Sequence, residues 1–427
     1  MPVTLILTIL CLIAFVLIGR QYSGLPNNIW RLFLAQPFAM SATPAVVIAA
    51  SILAVAIAPD PELATLPLTL MIIGTAVAVI PATWCLSHFG RKKGSMLGLL
   101  FGFFGAVLSA IAALYSDFHL LLAGTFMMGL CSAFIAQLRF AALESVSNPN
   151  QAPKAISTLM ASGLFSAMLG PEIAVVAKDW VESPHGFVGS FIVLAGFMLL
   201  AIVILSRLDP MDIKESHYEQ KARSIVSFFK NPVFIVALCS GVVAYSVMSY
   251  LMTASPLSMH SDHAYDMASI KWVVQSHVLA MYVPSLFSAY LVSLLGIRKL
   301  MLLGTALYAL VVIVSLMGHS VMHYWWSMVL LGVGWNLLYL CGTLLLPNVY
   351  QAHERFKVQA VNDFSIFGIQ GIASLSAGII LYNQGWAVLV SITIPVIILM
   401  LIVTLWYISI IHKSKLDKVE EFNGQPS

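Results

Sequence analysis

The sequence predicts an all-α integral membrane protein with twelve transmembrane helices in two six-helix bundles, plus an extra N-terminal hydrophobic helix. Three observations predict this fold class: an apolar composition, twelve stretches long enough to span a bilayer, and a phrase that recurs half a chain apart. Of the 427 residues, 60% are hydrophobic and 9% are charged, and the mean hydropathy is +0.94. A soluble protein cannot cover so apolar a composition with polar surface, so the bilayer is the solvent.

Twelve apolar stretches with few internal charges are each long enough to cross a bilayer as a helix, which takes about 20 residues. They cover residues 30–57, 65–87, 94–115, 119–143, 154–177, 187–206, 232–256, 270–295, 299–318, 322–346, 358–383 and 386–411. A thirteenth stretch, at 3–18, lacks the basic start and the small-residue cleavage site of a signal peptide. We expect residues 1–27 to hold an extra span or a retained anchor, and a wrongly assigned start codon is the alternative.

A short phrase repeats in two loops that follow hydrophobic stretches. Ser-His-Phe-Gly-Arg-Lys-Lys at 87–93 returns as Ser-Leu-Leu-Gly-Ile-Arg-Lys at 293–299, which lies 206 residues later. In each loop a Gly permits a tight turn between two helices, and the cations anchor the turn on the cytoplasmic side. The residues of the two turns are Gly90, Arg91, Lys92, Gly296, Arg298 and Lys299. Such a repeat indicates two equivalent halves, the architecture of a secondary transporter.

The basic residues give the chain an orientation. If the segment before the first span and the C-terminus are both cytoplasmic, 18 of the 21 Lys and Arg fall on that side. Lys178 and Lys271 fall on the other side, and Arg139 lies within a span. This asymmetry follows the positive-inside rule. The net charge of +3 therefore reflects topology, and we expect a multi-pass inner-membrane protein with a cytoplasmic C-terminus and no nucleic-acid partner.

The longest polar interruption runs from about Arg207 to Asn231 and separates the two halves. The predicted organisation is an N-terminal hydrophobic segment at 1–27, six-helix bundles at 28–207 and 232–412, a cytoplasmic linker at 208–231 and a cytoplasmic tail at 413–427. The other loops are too short for a soluble catalytic domain, which argues against an enzyme. The five Cys lie in apolar stretches without paired spacing, so no metal site, cofactor or disulfide framework is expected.

The loop around Gly90 resembles the loop between helices two and three of the major facilitator superfamily, which reads Gly-x-x-x-Asp-Arg-x-Gly-Arg-Lys. Gly90, Arg91 and Lys92 occupy its last three positions, whereas Thr83, Ser87 and His88 replace the first Gly, the Asp and the Arg. The resemblance covers about residues 28–412. It implies a major-facilitator-type fold that moves a small organic solute across the membrane by alternating access around a central site.

Three further phrases, at 137–142, 169–172 and 361–364, resemble a little-characterised bacterial branch of that superfamily. Within this branch, the resemblance implies either a vitamin-like solute such as riboflavin or a ferric siderophore. Proton-coupled symport stays open. The rival interpretations are a membrane-embedded enzyme that acts on a lipid and a non-transporting sensor on a transporter fold, but long loops and appended domains are not visible.

Three charges stand clearly inside the predicted spans: Arg139, Glu172 and Asp363. A charge at the centre of a helix costs about 2.5–3.5 kcal/mol on insertion scales, so each of them needs a partner or a wet cavity. Arg139 and Asp363 have similar predicted depth, and we expect them to approach each other as a gate. The alternatives are that Arg139 snorkels or pairs with Glu144, and that Asp363 lies near a helix start. We expect Glu172 to form a proton-responsive pair with His277, unless each is structural.

In the superfamily, helices one, four, seven and ten line the central cavity, which selects the substrate-binding candidates. They are Gln36, Tyr245, Ser249, Trp335 and Asn336. Aromatic faces beside hydroxyls and amides suit a neutral or zwitterionic ring-bearing solute. The alternative is that these side chains only join helices to one another. The partners expected for a monomeric transporter are a small-molecule substrate, membrane lipid and, where transport is coupled, protons.

Overall fold

The computed structural model describes residues 3–146, 148, 151–209, 223–351 and 354–423. Most of the predicted linker, residues 210–222, lies outside the described residues, as does the end of the tail at 424–427. Within the described ranges the regular elements are helices without a β-strand. The predicted all-α membrane fold is thereby confirmed.

The first half contains nine of the helices. They are α1 (Val3–Tyr22), α2 (Asn27–Met40), α3 (Ala42–Ile57), α4 (Leu66–Tyr115), α5 (Phe118–Ala136), α6 (Leu138–Glu144), α7 (Ala152–Ala161), α8 (Gly163–Val176) and α9 (Val188–Leu205). The second half contains α10 (Ile225–Phe228), α11 (Pro232–Leu257), α12 (Met267–Tyr282), α13 (Ser288–Met317), α14 (Val321–Leu345) and α15 (Arg355–Asn423).

Glycine turns divide the three longest helices: α4 and α15 each form two passes, and α13 forms the end of one pass and the whole of the next. Gly90 in α4 has φ 77° and ψ 163°, and Gly296 in α13 has φ 69° and ψ 161°. Gly385 divides α15 with φ 79° and ψ 174°. A positive φ is easily reached only without a Cβ, which is why glycine stands at each turn. The two halves thus make the same turn at the repeated phrase, and we name the end that carries Gly90 and Gly296 the motif end.

Eleven segments of the described residues are long and apolar enough to cross a membrane. One of them is α1, and the segment Lys357–Ile410 holds two passes because of its turn at Gly385. The predicted span at 270–295 is not among the eleven because it is broken. In this span α12 ends at Tyr282, a 3-10 turn covers Val283–Phe287, and the helix resumes at Ser288. Pro284 in that turn explains the break, since proline removes a helical hydrogen bond.

Helix packing groups the elements into two sets. In the first half, α4 packs against α5 and α9. In the second half, α11 packs against α14 and α15, and α13 packs against α14. Across the halves, α4 contacts α15 and α8 contacts α12. The two seams between the halves therefore run along these two helix pairs.

The N-terminal hydrophobic stretch forms α1, which packs against α2 and α8. Phe15 stacks on Phe33 with ring centroids 5.1 Å apart and an angle of 13° between the planes. The Thr4 hydroxyl donates to the Glu172 carboxylate of α8. Leu7, Leu10 and Leu17 on the other side of α1 are exposed, as a lipid-facing helix requires.

Ion pairs within each half hold the motif end. Arg91 of the repeated turn makes a bidentate contact with Glu144, at 2.8 and 2.6 Å. In the second half, Arg223 contacts both carboxylate oxygens of Glu354 at 2.7 Å. In the second repeat Ile297 takes the position of Arg91, and Arg298, in the position of Lys92, is exposed. In the first half, a carboxylate (Glu144) thus binds the repeated turn. In the second half, a carboxylate (Glu354) binds Arg223 at the end of the linker instead.

Candidate functional site

An aromatic cluster joins three helices of the second half. It consists of Tyr245 on α11, Trp335 and Tyr339 on α14, and Phe367 on α15. Trp335 and Tyr339 stack with centroids 5.2 Å apart and planes 17° apart. Tyr245 meets Trp335, Tyr339 and Phe367 edge-on at 5.2, 5.1 and 5.6 Å. Tyr245, Tyr339 and Phe367 are only partly buried, so the cluster offers aromatic surface to a ligand.

Arg139 and Asp363 lie beside this cluster and connect the two halves. Arg139 Nη2 is 3.8 Å from Asp363 Oδ2. Arg139 also interacts electrostatically with the side chains of Tyr339 and Tyr245. The structure therefore brings the two expected gate residues together and places them near Tyr245, an expected substrate residue, and near Tyr339. The alternative partner of Arg139, Glu144, is bound to Arg91 instead.

The break between α5 and α6 positions Arg139. The helix α5 ends at Ala136, and α6 begins at Leu138, which puts Arg139 in its first turn. The Gln137 amide between them donates to the Thr83 hydroxyl at 3.5 Å. On the other side, Asn362 Nδ2 donates to Asp363 Oδ1 at 3.1 Å, which orients the carboxylate.

A ladder of polar contacts leads from the cluster along α11 and α15, away from the motif end. Gln370 Nε2 donates to the Ser249 hydroxyl at 2.9 Å. One turn further, the hydroxyls of Thr253 and Ser374 are 3.1 Å apart. Thr69 of the first half donates to the same Ser374 hydroxyl at 3.3 Å. Ser249, an expected substrate residue, is therefore buried and holds Gln370.

Gln370 and Phe367 are site residues that the sequence analysis missed. Helices one, four, seven and ten were expected to line the site, whereas the first pass of α15 corresponds to the eleventh span. A signal was nevertheless present in the sequence, because Asp363, Phe367, Gln370 and Ser374 recur at spacings of four, three and four residues. That spacing puts all four residues on one face of a helix.

The two remaining substrate candidates lie apart from the aromatic rings. Asn336 Nδ2 donates to the Met281 carbonyl at 2.7 Å and to the Ser285 hydroxyl at 2.6 Å. Asn336 thus ties α14 to the broken span around α12, as the alternative interpretation proposed. Gln36 is buried in α2 of the first half, where its Nε2 approaches the Met40 sulfur at 3.0 Å.

Short contacts join the halves at the end opposite the motif end. Lys271 Nζ is 2.9 Å from Glu172 Oε2. Asn383 Nδ2 donates to Glu62 Oε1 at 2.8 Å. Gly378 allows α15 to approach so closely that a Cβ there would collide with Thr65. Since these contacts link α8 to α12 and the first half to α15, they close both seams at this end.

The structure does not bring His277 and Glu172 together. His277 is fully buried, and its Nδ1 lies 2.7 Å from the Met328 carbonyl oxygen of α14. Glu172 instead contacts Lys271 and Thr4. His277 therefore belongs to the packing between α12 and α14, and Glu172 belongs to the contact between the halves.

Two repeated helical halves that meet around an aromatic and polar surface have the architecture of a membrane transporter. The sequence profile of the Major Facilitator Superfamily matches residues 32–256 and 238–424. The chain belongs to the Major Facilitator Superfamily, as the residues around Gly90 predict. It is a multi-pass transporter and not an enzyme, and the interpretations as a lipid-modifying enzyme or as a sensor find no support.

The chain is 32% identical over 379 residues to the riboflavin transporter RfnT of Brucella anthropi. The aligned region covers 88% of this chain and 94% of that protein. It is 28% identical over 367 residues to the uncharacterised MFS-type transporter YddS of Bacillus subtilis, covering 81% and 83% of the two chains. A crystal structure of a bacterial homologue of the iron transporter ferroportin in an outward-facing state shares the fold. Its TM-score is 0.63 at 15% identity, over 90% of this chain and 99% of that one.

Proposed function

We propose that this protein moves riboflavin, or a solute with the same flat ring system, across the bacterial inner membrane by alternating access. The observation that carries the proposal is the aromatic cluster beside the Arg139–Asp363 contact. The stacked Trp335–Tyr339 pair presents planar surface to a planar ring. Aromatic contacts of this kind contribute about 0.5–1.5 kcal/mol beyond the burial of their area. The similarity to RfnT supports the vitamin over the siderophore, for which the relatives give no support.

The contacts between the halves support alternating access. At the motif end, Arg139 and Asp363 are 3.8 Å apart, longer than the roughly 2.7–2.9 Å of a close charge-assisted hydrogen bond. At the other end, the contact of Lys271 with Glu172 is 2.9 Å long. We propose that transport tightens the first contact and breaks the second. A bound ring beside Arg139 would thereby be exposed to one side of the membrane at a time.

We propose that the motif end is cytoplasmic, together with the C-terminus. The support is the asymmetric distribution of the cations along the chain, because basic loops stay in the cytoplasm. In this proposal the bundles at 28–207 and 232–412 move against each other, joined by the linker at 208–231. One chain supplies both halves and all of the candidate site, which supports a monomer surrounded by lipid.

We propose that protons couple to transport at Asp363. Its side chain is 22% exposed, it lies beside the aromatic cluster, and its ionic partner comes from the other half. A proton on Asp363 would weaken the contact with Arg139, because it removes the negative charge. His277 is less suited to this role, since it is fully buried within the second half.

Counterflow tests the proposed function. Proteoliposomes that contain the purified protein and unlabelled riboflavin should accumulate labelled riboflavin from outside. Trp335→Ala should reduce this exchange strongly because it removes the stacked surface. The matched control is Trp272→Ala: Trp272 stacks on Trp325 at 5.3 Å and 14° outside the candidate site, and its loss should leave exchange intact. Absence of riboflavin exchange by the wild type would overturn the proposed function.

A further inference from the structure

Gln370 is a buried side chain in which one of the two polar atoms of the carboxamide has no hydrogen-bond partner among the described residues. It is 8% exposed, and its Nε2 donates to the Ser249 hydroxyl at 2.9 Å. Among the described residues, none donates to its Oε1. Leaving a buried acceptor without a donor costs free energy, because the group has lost its water without gaining a partner. A ligand with a suitable N–H group would remove that cost.

The position of Gln370 relates it to the aromatic cluster. It lies three residues beyond Phe367 on the same face of α15. Its partner Ser249 lies four residues beyond Tyr245 on α11, so each residue is one helical turn away from a ring of the cluster. Phe367 and Tyr245 contact each other at 5.6 Å. The contact between Ser249 and Gln370 therefore lies between the same two helices as the contact between Tyr245 and Phe367, one turn further from the motif end.

A second unpaired polar group borders the same rings. Trp335 is 6% exposed, and within the described part of the chain its Nε1–H has no acceptor. Trp335 contacts Tyr245 on the side of α14, whereas Gln370 approaches along α15. Trp335 thus supplies a donor within the cluster, and Gln370 supplies an acceptor one turn beyond Phe367, both unpaired among the described residues. A donor and an acceptor are the groups needed to bind the edge of a heteroaromatic ring on which an N–H group lies next to a carbonyl.

We infer that Gln370 is a specificity-determining residue, whose Oε1 accepts a hydrogen bond from the imide N–H of the flavin ring. The inference rests on the proposed function and names the contact that selects the substrate. Ser249 is a positioning residue that holds the carboxamide, and Trp335 Nε1–H donates to a carbonyl beside the imide nitrogen. A site built to pair a substrate N–H rejects an analogue without it, because the analogue leaves the buried acceptor unpaired.

Competition in the counterflow assay tests the inference. Unlabelled riboflavin and riboflavin methylated on its imide nitrogen compete with labelled riboflavin. For the wild type, the methylated compound should be weaker by about tenfold or more, as expected when a buried acceptor loses its donor. Gln370→Ala removes the acceptor and leaves room for the methyl group, so the two competitors should become equal within about twofold. Ser249→Ala should give an intermediate ratio.

The matched control is Gln359→Ala. Gln359 lies eleven residues earlier on α15 and donates to the Tyr350 hydroxyl at 3.1 Å, outside the cluster. This variant should keep the wild-type ratio. Equal inhibition of the wild type by the two compounds would overturn the inference and leave riboflavin transport standing. An equal loss of affinity for both compounds in Gln370→Ala would show that Gln370 is only structural. Absence of riboflavin exchange by the wild type would instead overturn the proposed function.

Discussion

Arg139 of the first half and Asp363 of the second half approach to 3.8 Å beside the aromatic cluster. Their side chains are 36% and 22% exposed, so the contact is neither a surface pair nor a dry internal one. The same Arg139 interacts electrostatically with the side chain of Tyr339, a ring of the cluster. A solute bound on the rings would therefore lie next to a contact that links the halves. In the proposed function, this arrangement would couple binding to the relative position of the halves.

A double-mutant cycle tests this contact. Arg139→Ala and Asp363→Ala should each reduce riboflavin exchange, because either change leaves one charge without its partner. The double variant should recover part of the activity, since no charge is then stranded. The expected coupling energy is at least about 0.5 kcal/mol, the lower bound for residues in contact. Simply additive losses would show that the two residues do not interact.

The control cycle uses Arg91 and Glu144, which form a bidentate pair within the first half. Their coupling should appear in the thermal stability of the purified protein. It should be absent from the affinity for riboflavin, because neither side chain lies at the cluster. A similar effect of both cycles on affinity would contradict the special position of Arg139 and Asp363.

Local features of the fold could be predicted from the sequence because each has a local physical cause. The turns at Gly90 and Gly296 follow from a glycine with basic residues after an apolar span. The helical spans follow from the hydrogen-bonding demands of the bilayer. The break at Pro284 was missed because the surrounding residues are apolar, so that hydropathy alone predicts one continuous span there.

The pairing of side chains was harder to predict, because depth in a span does not specify which way a helix faces. Glu172 and His277 were expected to meet at similar depth. In the structure, Glu172 contacts Lys271 instead. His277 lies six residues, or about 1.7 turns, further along α12 and faces Met328. Gln370 was missed for a different reason, since the expectation of four cavity helices excluded α15 from the site.

Asp363 gives a prediction about proton coupling. Asp363→Asn carries no charge at any pH, so it should lose the accumulation driven by an imposed pH gradient. It should keep part of the exchange of labelled for unlabelled riboflavin, because its amide oxygen can still accept a hydrogen bond from Arg139. Uptake by proteoliposomes with and without the gradient measures the two activities separately. Glu172→Gln serves as the control and should keep the response to the gradient. Gradient-driven uptake by Asp363→Asn would place the proton site elsewhere.

The polar ladder predicts a crosslink that stops transport. Thr69 and Ser374 belong to different halves, and their hydroxyl oxygens are 3.3 Å apart. Cysteines at both positions, in a background without the five native Cys, should form a disulfide on oxidation, since the required Cβ separation is about 3.5–4.5 Å. Oxidation should abolish exchange because the halves can no longer separate at this end, and reduction should restore it.

The ladder also provides the control for this crosslink. Thr253 lies 3.1 Å from the same Ser374 hydroxyl but belongs to the same half. A disulfide between cysteines at 253 and 374 should form equally well and leave most of the exchange intact. Full activity of the oxidised 69–374 variant, with the crosslink verified by gel mobility, would contradict relative motion of the halves at this seam.

The proposed orientation predicts which loops an external reagent reaches. Lys93→Cys and Ser293→Cys introduce exposed thiols at the two motif loops. Intact cells treated with an impermeant maleimide should leave both unlabelled, because the motif end is proposed to face the cytoplasm. Trp180→Cys, at an exposed position between α8 and α9, is the control and should react rapidly. Rapid labelling at either motif loop would invert the topology.

The contact of Arg223 with Glu354 predicts how stability responds to acid. Glu354 is buried, and the hydrogen-bonded Arg223 guanidinium holds the pKa of its carboxyl well below the usual range. A lowered pKa in the folded state means that the contact stabilises the protein above the ordinary carboxyl pKa of about 4.3, and that this contribution declines as the pH falls further.

The melting temperature of the wild type should therefore drop more steeply below about pH 4.3 than that of Glu354→Gln. At pH 7 the variant should be the less stable of the two, because it loses the ionic contact. Parallel melting curves for the two proteins from pH 7 to pH 3 would show that Glu354 does not hold the end of the linker.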